Sequence, residues 1–167
     1  MASRAPTRIS SHPSRGAADS SKGKPSPRDR IVKMFDISNL AVKETAVVEL
    51  ESVDGEALLD ANGGQLSITV YGPGSKAFQK AQSIRNRAIL EYVKKGGKKM
   101  KEGEQRELDA EFLSACTVSF NGFGYKDFTG IEMFKAAYLD SAIGFITEQV
   151  NKAVGDWSNF TPASLKT

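Results

Sequence analysis

Leu66-Ser67-Ile68-Thr69-Val70-Tyr71-Gly72-Pro73-Gly74-Ser75-Lys76 is the stretch where one kind of secondary structure gives way to another. Its first six residues alternate with period two, which places Leu66, Ile68 and Val70 on one face of a strand. Gly72-Pro73-Gly74 stops the strand, and Ser75 is a good helix N-cap. A helix over about 76–95 follows, with Ala77, Ala81, Ile84, Ala88 and Tyr92 recurring on one side. Gly72 to Lys76 also faintly resembles a phosphate loop. The Ser-Lys order and the glycine spacing do not fit one, so a turn with an N-cap is the better reading.

Upstream, Ala46-Val47-Val48-Glu49-Leu50 is β-branched and apolar, as a strand would be. Asp54-Gly55 marks a turn and Glu56-Ala57-Leu58-Leu59 a short returning strand. Asn62-Gly63-Gly64 breaks the chain again. Together with 66–71 this predicts a small antiparallel sheet of about three strands. Downstream, a second helix over about 104–118 turns Leu108, Phe112 and Ala115 inward. An aromatic turn region, Phe120 to Phe128, comes next. Thr129 and Glu132 have capping-box spacing, and helix is predicted from there to about Trp157. The fold class is α+β: the small antiparallel sheet followed by three to four helices, with a disordered basic N-terminal arm. The expected boundaries are an arm at 1–30, one α+β domain at 31–160 (sheet about 31–72, helical part about 75–157) and a C-terminal tail at 161–167.

The 167 residues carry 23 Lys/Arg and 20 Asp/Glu, a net of +3 that hides an uneven distribution. Seven of those cations (Arg4, Arg8, Arg15, Lys22, Lys24, Arg28, Arg30) and two of the acids fall in 1–30, so the arm carries +5 and the rest of the chain −2. The arm is rich in Ser, Pro, Gly and Ala and too poor in large apolar residues to offset the entropy of ordering. It is expected to attract polyanions, nucleic acid included, weakly. It lacks the apolar face of a targeting helix and the hydrophobic core of a secretory signal. No apolar run is long enough to cross a membrane.

The chemistry is limited. One cysteine, Cys116, excludes an intramolecular disulfide framework, and one histidine, His12, excludes most His-based metal and triad sites. The acid pairs Asp54/Glu56 and Asp109/Glu111 sit in polar turns or on helix surfaces. No catalytic, metal or cofactor site is expected, and the protein is read as a non-enzyme. Asn121 to Phe128 resembles the aromatic octamer of RNA-recognition domains, in which Phe123 and Tyr125 would stack bases. Ile37-Ser38-Asn39-Leu40 would be its companion, but it lies too far upstream for that fold. Lys94, Lys95, Lys98, Lys99 and Lys101 surround Gly96-Gly97 as a solvated basic connection.

The last helical region carries two apolar stripes. Leu139, Ile143, Ile146, Val150, Val154 and Trp157 make one; Ile131, Phe134, Tyr138, Ala142 and Phe145 make the other. Two stripes are too much for one packing surface. Either the region bends near Asp140 or Gly144, or one stripe faces another polypeptide, as a homo-oligomer interface or as a client site. Leu139, Ile143, Ile146, Val150 and Trp157 are the predicted partner-binding residues.

The order of parts resembles a known family. The elements are a Val-rich strand, the Asp54-Gly55-Glu56-Ala57-Leu58 hairpin, the Gly72-Pro73-Gly74-Ser75 turn before a long helix, and the Phe120-Asn121-Gly122-Phe123 turn. Ile146-Thr147-Glu148-Gln149-Val150 and Asn159-Phe160-Thr161-Pro162 complete the layout. It is similar to the tail assembly chaperones of long-tailed, siphovirus-like bacteriophages, over about 35–163. The resemblance implies a protein acting in the host cytoplasm during tail morphogenesis. It would coat the tape-measure protein and recruit tail-tube subunits. The competing expectation is a virion structural protein, a tail or capsid component whose basic arm contacts neighbours or DNA.

Overall fold

The computed structural model describes residues 34, 36–97 and 100–162. The arm at 1–30, with all seven of its cations, and the tail beyond Pro162 lie outside the described residues, as do Lys98 and Lys99. The chain is α+β. Three strands, β1 (Thr45–Glu49), β2 (Ser67–Tyr71) and β3 (Thr117–Asn121), form an antiparallel sheet in the order β1-β2-β3. Between β2 and β3 run α1 (Lys76–Lys94) and α2 (Glu102–Cys116). After β3 come α3 (Gly130–Leu139) and α4 (Gly144–Gly155). Short 3₁₀ turns lie at Ile37–Leu40, Ser141–Ile143 and Trp157–Phe160.

The third strand is not the predicted segment 56–59. That segment makes only isolated bridges, Glu51 with Ala57 and Leu59 with Gln65. Instead it closes a ring of backbone hydrogen bonds around three leucines spaced eight apart. Leu50 N–H donates to Leu66 O (2.9 Å), Leu66 N–H to Leu58 O (2.7 Å) and Leu58 N–H to Leu50 O (2.9 Å). Ser52 and Asp60 hold the two turns of this knot. The Asp60 Oδ1 accepts from the amides of Asn62 (2.7 Å) and Gly64 (2.8 Å), and Gly55 and Gly63 supply the left-handed φ of +82° that each turn requires.

The inner sheet face carries Ala46, Val48, Ile68, Val70 and Phe120 into one core with Phe112, Leu113, Val150, Val154 and Phe160. On the opposite face Asn121 Nδ2 donates to Ser67 Oγ (3.2 Å) and Thr69 Oγ1 (3.0 Å), tying β2 to β3 by side chains. A bulge at Thr69/Val70 turns both Thr117 and Phe120 inward, breaking the alternation of β3. Ser75 caps α1 as expected, accepting from Phe78 N–H (3.1 Å) and donating to Gly72 O (2.8 Å). Phe160 lies flat on Gly72, where any Cβ would sit 2.3 Å from its ring.

Asp140 breaks the predicted long helix. Its Oδ1 accepts from Ala142 N–H (2.8 Å) and starts a new turn, so the chain bends between α3 and α4. The first of the two options read from the stripes therefore holds: the region bends. The expected Thr129 capping box does not form, because Gly130 takes φ +60° at the head of α3 and the Thr129 side chain makes no cap bond.

Candidate functional site

The bend separates the five predicted partner-binding residues. Leu139 ends α3 and is exposed, Ile143 lies in the 3₁₀ turn, and Ile146 is half-buried and packs against the core. Val150 is 0% exposed and sits in the core itself, so its placement on a docking surface is corrected. Trp157 is 55% exposed but belongs to a different place, near Gly74 and the start of α1. The stripe is thus not one surface: a helical wheel drawn through 131–157 assumes a straight axis, and the axis ends at Asp140.

Ile143 and Ile146 nonetheless meet a second group of side chains. They wall an apolar hollow of about 210 Å³ with Phe120, Phe123, Tyr125 and Tyr138. The hollow opens between the aromatic turn, α3 and α4. Phe120 is its floor, stacked on Phe123 at 4.7 Å and in contact with Phe134 (4.7 Å) and Tyr138 (6.0 Å). Such pairs hold aromatic side chains in fixed relative orientation. The two tyrosines turn their hydroxyls away from the apolar walls into hydrogen bonds. Tyr125 O–H donates to Asp140 Oδ2 at 2.6 Å, and Tyr138 O–H pairs with Thr117 Oγ1 at 2.7 Å. The Tyr125 hydrogen bond holds the Asp140 carboxyl below its ordinary range, helped by the Ala142 amide. Burial pushes the Tyr138 phenol up. Asp140 thus both ends α3 and fixes one wall of the hollow.

The RNA-type octamer does not lie along a strand. β3 ends at Asn121, Gly122 (φ +84°) turns the chain, and Lys126 takes φ +50°. Phe123 is consumed by its stack on Phe120, and 37–40 forms a 3₁₀ turn rather than a neighbouring strand. A larger cleft of about 430 Å³ lies between α2 and α4 and is lined by Glu102, Asp109, Asp140, Thr147 and Glu148, with Arg106. Its carboxylates are largely engaged: Glu102 by Arg106 (3.1 Å), Asp109 by Arg85 and by Gln105 (3.1 Å), Asp140 by Tyr125 (2.6 Å). Glu111 faces Lys135 at 2.8 Å instead, so the pair Asp109/Glu111 is split between two sides of α2. Cys116 is buried with its thiol pushed up to about 12 by desolvation, far from a nucleophile's range. No group of three or more potential metal ligands occurs among the described residues. No described helix is long and apolar enough to cross a membrane.

No family model matches the chain, and no curated protein or solved structure matches it either.

One residue that the partner-site reading left out has a defined role. Gln149, on α4, makes both backbone hydrogen bonds of a missing strand at Glu51: its Nε2 donates to Glu51 O (2.8 Å) and its Oε1 accepts from Glu51 N–H (3.0 Å). At the other end of the same edge, Lys43 N–H donates to Phe160 O (2.7 Å). The β1 edge is therefore closed at both ends, which discourages strand addition there. Sequence alone shows a Gln one residue before a core Val, and nothing that says which backbone it reaches.

Proposed function

We propose that the chain is a non-enzymatic binding protein, a tail assembly chaperone of a long-tailed bacteriophage, acting in the host cytoplasm on the tape-measure protein and on tail-tube subunits. The observation that carries this reading is the apolar hollow bounded by Ile143, Ile146 and the Phe120–Phe123 stack. A long helical client offers a row of apolar side chains, and a hollow of about 210 Å³ accepts one or two of them. Burial at ~25 cal/mol per Å² of apolar surface gives a few kcal/mol per site, at most the low end of the ~4–15 kcal/mol lost on association. Single contacts of this size are weak, and many copies along one client hold it by multivalency. Leu139, exposed at the end of α3, extends apolar surface beside the bend.

Co-expression with the tape-measure protein tests the reading. The client is expected to become soluble and to co-purify. Ile143→Asp and Leu139→Asp are expected to reduce co-purification several-fold with helical circular dichroism retained. Failure of the wild-type chain to retain the client rejects the function. The virion-component alternative draws on the uneven charge, +5 on the arm against −2 on the body. Stoichiometric copies of the chain in purified particles, read by mass spectrometry, would favour that alternative.

A further inference from the structure

We infer that the client helix carries a lysine or arginine beside its apolar side chain, and that the cleft between α2 and α4 receives this cation while the hollow receives the apolar group. The inference rests on the hollow being the client site, and it adds the chemistry the client must have. α4 is the ridge between the two depressions. Ile143 and Ile146 wall the hollow, whereas Gly144, Thr147, Glu148 and Asn151 line the cleft. At about 100° per residue these two sets fall on adjacent faces of one helix. Tyr138 lines both depressions, and Asp140, on the cleft side, holds Tyr125 on the hollow side. A helix laid across the head of α4 therefore meets both.

The charge of the cleft selects a cation. Glu102, Asp109, Asp140 and Glu148 bring four negative charges to its walls. Arg106 on the wall and Arg85, paired with Asp109, return two positive ones, so the cleft keeps a net of −2. Glu148 is exposed and forms no ion pair among the described residues. An anionic occupant would be repelled, and a purely apolar one would strip these carboxylates of water without giving them a partner. The turn into α4, whose amides would otherwise draw an anion, already has the Asp140 carboxylate on Ala142 N–H. A bare metal ion needs converging oxygens, and no group of three or more potential metal ligands occurs among the described residues. Spread acceptors suit N–H donors at the end of a long stem instead. Leu113 and Tyr138, both buried, give such a stem apolar surface to lie on. Thr147 contributes a hydroxyl whose Oγ1 is buried without a hydrogen-bond partner among the described residues. That orphan costs free energy in the free chain, and a rotation about χ1, which a helical threonine tolerates, offers it to a donor in the cleft.

The ridge sets the spacing. A helix with its side chains is about 10–12 Å across, so depressions on its two flanks lie on the order of 10 Å apart. A client helix rises about 1.5 Å per residue, and a lysine or arginine stem adds its own reach. The cation therefore stands about four to seven residues from the apolar side chain. An apolar hollow by itself does not tell one amphipathic helix from another; a charge beside it supplies specificity more than affinity.

The probes are three synthetic helical peptides that share a leucine for the hollow and carry lysine, glutamine or glutamate two turns (about seven residues) away. Each is titrated with the full chain and followed by fluorescence anisotropy. The lysine peptide should bind ~3-fold or more tighter than the glutamine peptide and ~10-fold or more tighter than the glutamate peptide, with the differences shrinking as salt is raised. Glu148→Lys, at an exposed position, should reverse that order, and Ile143→Asp should weaken all three peptides alike. A lysine peptide whose leucine is replaced by glutamine should not bind. Equal binding of the three peptides, each weakened by Ile143→Asp, overturns the inference and leaves the hollow as the client site. Binding of none of them overturns the hollow and the inference together. A lysine preference that survives Glu148→Lys places the charge contact outside the cleft and overturns the inference, as does undiminished binding of the lysine peptide without its leucine. Should Glu148→Lys lose helicity, Glu148→Gln decides: the lysine preference must fall towards parity.

Discussion

Phe160 and Gly72 show how much one position can fix. Phe160 is fully buried, and its ring occupies the space where any side chain on residue 72 would begin. Gly72→Ala is therefore expected to destabilise the body by ~1–3 kcal/mol, the usual cost of overpacking a rigid neighbour, and Phe160→Ala by ~3–5 kcal/mol. Urea unfolding followed by circular dichroism measures both; a neutral Gly72→Ala would mean that the ring can move aside. Cys116 makes a prediction about pH. Burial raises its thiol pKa from 9.0 to about 12 in the folded chain. The unfolded chain thus ionises first, so the stability this thiol contributes is complete below pH 9 and is lost between pH 9 and about 12. The native chain is expected to resist a thiol-specific reagent at pH 8, with labelling rate tracking unfolding as urea is added. Asp140 runs the other way. Its carboxyl is lowered by Tyr125, so the stability from that contact is complete above the ordinary Asp pKa of ~3.9 and disappears as pH falls through the lower folded value. Tyr125→Phe should raise the Asp140 pKa towards ordinary, as read by carboxyl NMR titration.

Elements were legible wherever local chemistry announced them. The period-two run before Gly72 gave β2, the cap at Ser75 gave α1, and the apolar spacing of Leu108 and Phe112 gave α2. β3 was hidden for two physical reasons. It follows α2 directly, with no Gly or Pro at the Cys116–Thr117 junction, and the bulge in its pairing with β2 turns Thr117 and Phe120 to one side, which erases the alternation a strand would display. The leucine ring at 50, 58 and 66 was equally invisible, because its hydrogen bonds are all backbone. The site was half legible. Ile143 and Ile146 do border the hollow, yet Val150 is core and Trp157 is elsewhere, because the bend at Asp140 reorients everything after it. Gln149 offers the sharpest test at this scale. Gln149→Leu removes both hydrogen bonds that close the β1 edge at Glu51. Because Glu51 is exposed and water replaces part of the loss, a cost of ~1 kcal/mol is expected in urea unfolding. The freed edge should also show faster amide exchange at Glu51. Unchanged exchange there would mean that the side chain merely rests on the strand.

Charge is the property that belongs to the whole molecule. The +3 total is the sum of an arm at +5 and a remainder at −2, so attraction to polyanions has to come from the arm if it comes from anywhere. On the folded body the acids are spread and partly neutralised, by Lys135 near Glu107 (3.8 Å) and Glu111 (2.8 Å) and by Arg85 on Asp109. The exposed lysines Lys94, Lys95 and Lys101 share the connection with Glu102 and Glu104 at the head of α2, whose opposite charges, with salt screening, make the field of that loop short-ranged. Binding to double-stranded DNA should therefore be weak and steep in salt. With seven cations in the arm, log K against log salt can fall no more steeply than about −6, at ~0.9 per phosphate neutralised. Neutralising the arm by Arg4, Arg8, Arg15, Lys22, Lys24, Arg28 and Arg30→Gln should abolish the binding and leave unfolding by urea unchanged. Fluorescence anisotropy of a labelled duplex across a salt series measures the slope. A neutralised chain that kept its affinity would place the contact on the body and would require a basic surface there that its balance of −2 does not provide.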